Sequence, residues 1–304
     1  MKKTISALII LCLLLSCSIT AMAEPVRSAV SELYSVEGTY TDDIGNQGCY
    51  SYHIPQISDD TPDAEEINSE IAMKYGAIVE GEFHRMNEGF SLGCMNVGWK
   101  AFWNDSQLFL LLRADTSNDL IEYDAYGYDY DTGSRITNKM ILEQRGISEE
   151  EYLENLREAA KSQFVKMNAD YPADKREDGD YDKLLKQTTE WQTMEQQMYI
   201  DQDGEIAVIA EICVFAGAGR YKQLIRPLEH NINIIGDHSL IESCPEAAKA
   251  GETVRILTYD VTDGDTVIEV NGADVVNIDW TEYQFVMPSH DVDVQIEFIG
   301  NGLA

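Results

Sequence analysis

The residues of this chain that could perform chemistry are few and scattered. Residues 89–93 read GFSLG and match the G-x-S-x-G pattern in which hydrolases place a nucleophilic serine, here Ser91. In such enzymes a buried strand precedes the serine and a helix follows it. Here a helical and polar segment precedes Ser91 and a strand-like segment follows it, so we expect a loop. A secreted serine hydrolase that uses Ser91 is therefore the alternative interpretation and not the favoured one.

The histidines and acidic turns do not indicate a metal site. None of the five histidines forms the pair at i and i+4 that characterises the H-E-x-x-H helix. The acidic turns at 201–204 and 263–265 lack the remaining acidic ligands of an EF-hand loop. The sequence predicts no metal, no cofactor and no catalytic residue.

Four cysteines lie beyond the first 23 residues: Cys49, Cys94, Cys213 and Cys244. An even number in an exported protein permits two disulfides, with three possible pairings. We predict Cys49–Cys94 within the N-terminal domain and Cys213–Cys244 between the main sheet and a C-terminal module. Four free thiols are the alternative. No C-x-x-C pair occurs, which argues against a zinc or redox site.

The N-terminus has the features of a secretory signal peptide. Two lysines precede an apolar run at 5–15, and an A-x-A cleavage site ends at Ala23. We expect cleavage after Ala23 and a secreted or cell-surface protein. The alternative is a lipoprotein anchored at Cys17, because residues 14–17 (LLSC) resemble a lipobox. No later apolar run is long enough to predict a transmembrane helix in the mature chain.

The charge of the chain limits its partners. Its 304 residues include 22 Lys and Arg against 54 Asp and Glu, a formal net charge of −32. A nucleic-acid partner is excluded, because a phosphate backbone requires a basic surface, and docking on anionic lipid is disfavoured for the same reason. A cationic protein is electrostatically compatible with such a surface.

The hydrophobic pattern predicts both strands and helices before residue 229 and a separate small all-β module after it. One helix is expected to begin with Thr61 as its N-cap and Pro62 in its first turn. A second should run from Ser148 to Met167, and residues 166–182 are expected to form a loop. The predicted domains are a signal peptide at 1–23, followed by domains at 24–116, 117–228 and 229–304.

Turn residues and alternation predict the strands. Hairpins are expected at 104–105, 203–204 and 271–272. The apolar run 108–112 should be a central strand covered on both faces. In the last strand, Val292, Val294, Ile296 and Phe298 should point inward. An aromatic stripe formed by Trp99, Trp103, Tyr126, Tyr128 and Tyr130 is interpreted as core, with a face for glycan or protein contact as the alternative.

Two stretches resemble known extracytoplasmic domains. The sequences YHIPQI at 52–57 and EIN at 66–68 resemble the non-catalytic N-terminal domain of PdaC-type peptidoglycan deacetylases. The sequence YDYDTGSRIT at 128–137, with residues 152–153 and 199–208, is similar to the adjoining domain of RsiV-type lysozyme-sensing anti-sigma factors. The resemblance implies an α+β fold, in which helices pack on a mostly antiparallel sheet, and a binding role. The metal motifs of the deacetylase module are absent from this sequence.

The C-terminal segment has a separate likeness. Residues 250–254 (AGETV) and 285–292 (FVMPSHDV) resemble the small β repeats of Gram-positive surface proteins, of the divergent InlB B-repeat kind. Such modules act as spacers or adhesive accessories, which implies that this one is an accessory to the preceding domains.

The segment 212–221 carries the predicted binding site. In the RsiV-like family this place holds a loop rich in Ala and Gly with Pro and Tyr; here Gly219 fits, Phe215 and Tyr221 supply aromatic rings, and the prolines are missing. We therefore predict an exported, non-enzymatic binding protein of the bacterial cell envelope that uses Phe215, Gly219 and Tyr221. The expected partner is a cationic protein such as lysozyme, or peptidoglycan.

Overall fold

The computed structural model describes residues 29–90, 93–115, 121–171, 180–215, 219–261, 264–288 and 290–300. The fold is α+β, with mostly antiparallel sheets, as predicted. The first sheet has six strands in chain order, and only the β2–β3 pair is parallel. Its strands are β1 (Val30–Thr41), β2 (Gln47–Ile57), β3 (Cys94–Asn104), β4 (Gln107–Asp115), β5 (Ile121–Asp129) and β6 (Ser134–Ile136).

Helix α1 (Pro62–Asn87) connects the two parallel strands and covers one face of this sheet. It begins as predicted, because the Thr61 hydroxyl accepts the Ala64 N–H at 3.3 Å and Pro62 occupies the first turn. Its apolar residues recur at helical spacing, so that Ile67, Ile71 and Tyr75 are completely buried against the sheet.

A second layer covers the opposite face of the sheet. It contains α2 (Asn138–Arg145), α3 (Glu149–Met167) and α4 (Asp180–Glu190), and a three-stranded sheet of β7 (Met198–Ile200), β8 (Ile206–Val214) and β9 (Gly219–Ile225). Alternate residues of β4 enter the two layers, so Leu110 packs with α1 and Phe109 with the second layer. Strand β4 is thus covered on both faces, as predicted. The predicted boundary at 116/117 falls between β4 and β5, which are neighbours in one sheet.

The helices of the second layer confirm one prediction and add an element. Ser148 caps α3, and its hydroxyl accepts the Glu151 N–H at 3.2 Å. Helix α4 was not predicted, and its first residues lie within the segment 166–182 that was expected to be a loop. Leu184 and Leu185 pack against the core of this layer, which explains why a polar segment is helical here.

The C-terminal module has its own core between two four-stranded sheets. The sheet orders are β12-β10-β17-β14 and β11-β13-β16-β15. The described residues add one 3₁₀ turn at His238–Leu240. The strands are β10 (Glu229–Gly236), β11 (Ile241–Ser243), β12 (Ala247–Lys249), β13 (Thr253–Thr258), β14 (Gly264–Val270), β15 (Val276–Asn277), β16 (Glu282–Val286) and β17 (Val292–Gly300).

The predicted turn at 271–272 forms, but its two strands separate beyond it. Gly272 has a positive φ of 78°, and Val270 and Ala273 pair across the turn in an isolated antiparallel bridge. Strands β14 and β15 then belong to different sheets. One prediction for this module was wrong. Phe298 was expected to point into the core and is 45% exposed, because β17 extends beyond the core that buries Val292, Val294 and Ile296.

Polar contacts hold the module against the preceding layer. The Lys249 ammonium forms an ion pair with Glu205 after β7, and the Ser162 hydroxyl of α3 donates to the Asp291 carboxylate. Asp291 also accepts the backbone N–H of Asn231 in β10 at 2.8 Å. Among the residues described, no helix combines the length and apolar character needed to cross a membrane.

Candidate functional site

The predicted binding residues lie where β8 and β9 meet. The two strands pair in register up to Val214 opposite Gly219. We call Val214, Phe215, Gly219, Arg220 and Tyr221 the hairpin end. Residues 216–218 lie outside the described part of the chain.

Asn168 fixes the hairpin end to the C-terminus of α3. Its buried side-chain amide donates to the carbonyl oxygens of Phe164, at 2.8 Å, and Cys213, at 3.1 Å. Its carbonyl oxygen accepts the backbone N–H of Phe215 at 3.0 Å. One side chain thus holds both the end of the helix and the end of β8.

Phe215 packs into an aromatic cluster with three other rings. Its ring stacks on Tyr171 with centroids 3.7 Å apart and on Tyr181 at 5.8 Å, and Phe164 of α3 lies at 6.3 Å. Stacked rings of this kind bury a large apolar area and fix one another's orientation. Phe215 therefore attaches the hairpin end to this aromatic cluster.

Arg220 is the exposed residue of the hairpin end, and Gly219 and Tyr221 beside it are half-buried. The Tyr221 ring lies against Gly219, where an added Cβ would come within 3.1 Å of the ring. The Arg220 guanidinium lies 3.8 Å from the centre of the Trp191 ring, a cation–π contact. Glu211 Oε2 is 3.5 Å from Arg220 Nη1 and offsets its charge.

A groove of about 380 Å³ separates the hairpin end from α4. Leu184, Trp191 and Phe215 form apolar parts of its wall, and Asp180 and Lys183 contribute charged groups. Apolar walls with a few polar groups suit the binding of side chains from a ligand or partner. Thr188, on α4, accepts the backbone N–H of Cys213 at 3.2 Å and so fixes one wall relative to the other.

The structure forms one of the two predicted disulfides. Cys49 and Cys94 are bonded and occupy directly paired positions of the parallel strands β2 and β3, with Cα atoms 4.5 Å apart. The predicted pair of Cys213 and Cys244 was wrong, because both are free thiols. Cys213 lies in β8 and is buried in the core of the second layer, whereas Cys244 packs at the margin of the separate C-terminal core.

The serine and the aromatic stripe named from the sequence lie outside the described residues and in a hydrophobic core, respectively. Ser91 lies outside the described residues. Within the described ranges, no group of three or more His, Cys, Asp or Glu side chains is placed to hold a metal ion. Tyr126 and Tyr128 are buried, and Trp103 stacks on Tyr130 with centroids 5.6 Å apart, so the aromatic stripe belongs to the core.

Sequence reasoning missed several residues of this site, among them Asn168, Trp191 and Arg220. Trp191 follows Leu184 and Thr188 at helical spacing, and this pattern was available as a signal for α4. No comparable signal marks Asn168, whose three partners come together only in the folded chain.

Comparison with known proteins leaves the family undetermined. No protein-family model matches the chain, and a search of curated proteins finds no match.

Proposed function

We propose that this chain is an exported, non-enzymatic binding protein of the bacterial cell envelope, and that its hairpin end binds a cationic protein such as an animal-type lysozyme. The proposal rests on one observation, namely that contacts from two helices hold the hairpin end in place. Asn168 bonds it to α3, and Trp191 at the end of α4 stacks on Arg220.

Rigid support matters because binding is costly when a loop must first be ordered. A segment that the protein already holds in one geometry loses less conformational freedom on association. The stacking of Phe215 on Tyr171 and Tyr181 provides such support. The exposed Arg220 and the half-buried Tyr221 beside it are of the types that contribute most to protein interfaces.

The disulfide supports the extracytoplasmic location. Cys49 and Cys94 are bonded across paired strands. Disulfides persist in secreted and surface proteins and are rare in the reducing cytosol. This agrees with the signal peptide expected at residues 1–23.

The charge supports a cationic partner. A formal net charge of −32 would attract a basic protein over distance and raise the rate of encounter. The likeness of residues 128–137 to RsiV-type domains supplies the reason to test lysozyme in particular.

Calorimetry with lysozyme tests the proposal. The chain without its first 23 residues should bind lysozyme at about 0.15 M salt, where attraction between surface charges beyond about 8 Å is screened. Tyr221→Ala should weaken binding at least about tenfold, since one anchor contributes more than about 1.4 kcal/mol at such sites.

Tyr34→Ala is the matched control, because Tyr34 is a partly exposed tyrosine on β1, which belongs to the other layer. Its affinity for lysozyme should equal that of the unchanged chain. Binding that occurs only at low salt, or that Tyr221→Ala leaves intact, would refute the proposed site.

A further inference from the structure

One sheet of the C-terminal module exposes apolar side chains on its outward face. In the sheet ordered β11-β13-β16-β15, the inward residues, such as Ile256 and Phe285, are buried. The outward positions of this sheet and of its turns carry five apolar or aromatic residues, each more than half exposed. These residues, which we call the outer apolar face, are Tyr259, Val276, Ile278, Trp280 and Val286.

Backbone pairing places most of these residues at one end of the sheet. The Thr258 N–H donates to the carbonyl oxygen of Thr281 at 2.8 Å, which extends the pairing of β13 with β16. Tyr259 and Trp280 are the next residues on the two strands. The Ile278 N–H donates to the carbonyl oxygen of the first residue of β16 at 2.8 Å, which closes the turn that holds Trp280.

The concentration of apolar residues distinguishes this face from an ordinary surface. Single exposed apolar side chains are common in soluble proteins, but several on one sheet face indicate an interaction surface. Trp280 is 87% exposed, although burial of an indole is among the largest gains available to a side chain.

The charges around the face indicate what kind of partner fits it. The segments that form this sheet, 241–243, 253–260 and 276–286, contain one basic residue, Arg255, and four acidic ones. The Arg255 guanidinium is 2.6 Å from the Glu282 carboxylate, which neutralises it. Asp260 directly follows Tyr259 in the chain, and Asp279 directly precedes Trp280. The border of the outer apolar face is therefore negative.

We propose that the outer apolar face binds a cationic amphipathic polypeptide segment. Apolar side chains of such a segment would cover Trp280 and Ile278, and its basic side chains would pair with Asp260 and Asp279. A second copy of this chain and an anionic lipid surface are both disfavoured, because each would bring further negative charge against this border.

This surface is independent of the proposed lysozyme site. The outer apolar face belongs to the C-terminal core, whereas the hairpin end belongs to the second layer. Loss of binding in one variant therefore leaves the other proposal intact.

Titration with designed peptides tests the inference. The probe is a helix-forming peptide of leucine and lysine with the leucines on one face, and the matched peptide carries glutamate in place of lysine. In calorimetry with the chain lacking its first 23 residues, at about 0.15 M salt, the lysine peptide should bind and the glutamate peptide should not. Trp280→Ala should weaken binding at least about tenfold.

Ile44→Ala is the control, because Ile44 is 82% exposed in the turn between β1 and β2, outside this face. The affinity of Ile44→Ala for the lysine peptide should equal that of the unchanged chain. If Trp280→Ala lowers the melting temperature, Ile278→Ser tests the same face. The inference would be overturned if the unchanged chain did not bind the lysine peptide, or if it bound the glutamate peptide with the same affinity. It would also be overturned if Trp280→Ala and Ile278→Ser both bound the lysine peptide as tightly as the unchanged chain does. Self-association that Trp280→Ala abolishes would also overturn it, since a second copy would then be the partner.

Discussion

At the scale of single residues, Asn168 bonds the end of α3 to residues that lie 45 and 47 positions further along the chain. Its amide donates to Cys213 and accepts from Phe215, and it also caps α3. Asparagine at a helix end is common, and nothing in the sequence distinguishes this one from an asparagine in an exposed turn. Its role could not be predicted, because it depends on which strand passes the helix end.

Asn168→Ala should lower the free energy of unfolding by about 3 kcal/mol, since a buried polar group left without its partner costs roughly 1–3 kcal/mol. The affected groups are the Cys213 carbonyl and the Phe215 N–H. Urea denaturation followed by circular dichroism measures the change. Asn155→Ala, at a half-buried position of the same helix, should cost much less. Equal losses in the two variants would show that Asn168 does not hold the hairpin.

At the scale of elements, the sequence predicted those with strong local signals. Thr61 and Pro62 mark the start of α1, Ser148 marks the start of α3, and the unbroken apolar run 108–112 marks a strand covered on both faces. Helix α4 was missed because its sequence is polar and follows a segment containing Pro172 and Gly179. Its helical state depends on the core that receives Leu184 and Leu185.

The Cys49–Cys94 bond closes the connection in which α1 joins two parallel strands. The two cysteines are 45 positions apart in sequence. A crosslink of this span restricts the unfolded chain, which stabilises the native fold by roughly 2–4 kcal/mol. Cys49→Ser combined with Cys94→Ser should lower the free energy of unfolding by this amount, as measured by urea denaturation.

A reducing agent provides the control for the disulfide. It should destabilise the unchanged chain and leave the double variant unaffected. In the non-reduced chain without its first 23 residues, two thiols should react after denaturation, from Cys213 and Cys244. Four reactive thiols would contradict the disulfide.

At the scale of the whole molecule, the described residues form three hydrophobic cores. The C-terminal module has a separate core, but the first sheet and the second layer share β4, whose alternate residues enter both cores. A strand that is buried on both faces has a continuous apolar sequence, so this sequence does not indicate where one domain would end and the next begin. The failed pairing of Cys213 with Cys244 has a similar cause, since sequence does not show which core each thiol enters.

His230 makes the stability of this assembly dependent on pH. It is buried in β10 beside the junction with α3, and burial lowers the pKa of His230, with His290 adding to the effect and Asp291 opposing it. Because the pKa is lower in the folded state than in the unfolded state, folding disfavours protonation. The folded state therefore loses stability when His230 must be protonated. This loss is absent when the pH is well above the ordinary histidine pKa of about 6.5, and it grows as the pH falls below that value.

The measurement is the melting temperature of the unchanged chain and of His230→Asn at pH 7.5 and pH 5.5. Acidification also reduces repulsion among the many carboxylates, so the difference between the two chains carries the information. The unchanged chain should lose more, or gain less, stability on acidification than His230→Asn. If His230→Asn responds to acidification in the same way as the unchanged chain, the proposed effect of His230 is contradicted.

The pairing of β10 with β17 has a mechanical consequence. These strands are the first and the last of the C-terminal module, and they run parallel over five paired positions, from Ile232 opposite Val292 to Gly236 opposite Ile296. A pulling force applied before β10 and after β17 would draw the two strands in opposite directions along their common axis. The ladder would then be loaded in shear, so that its hydrogen bonds resist together instead of opening one after another.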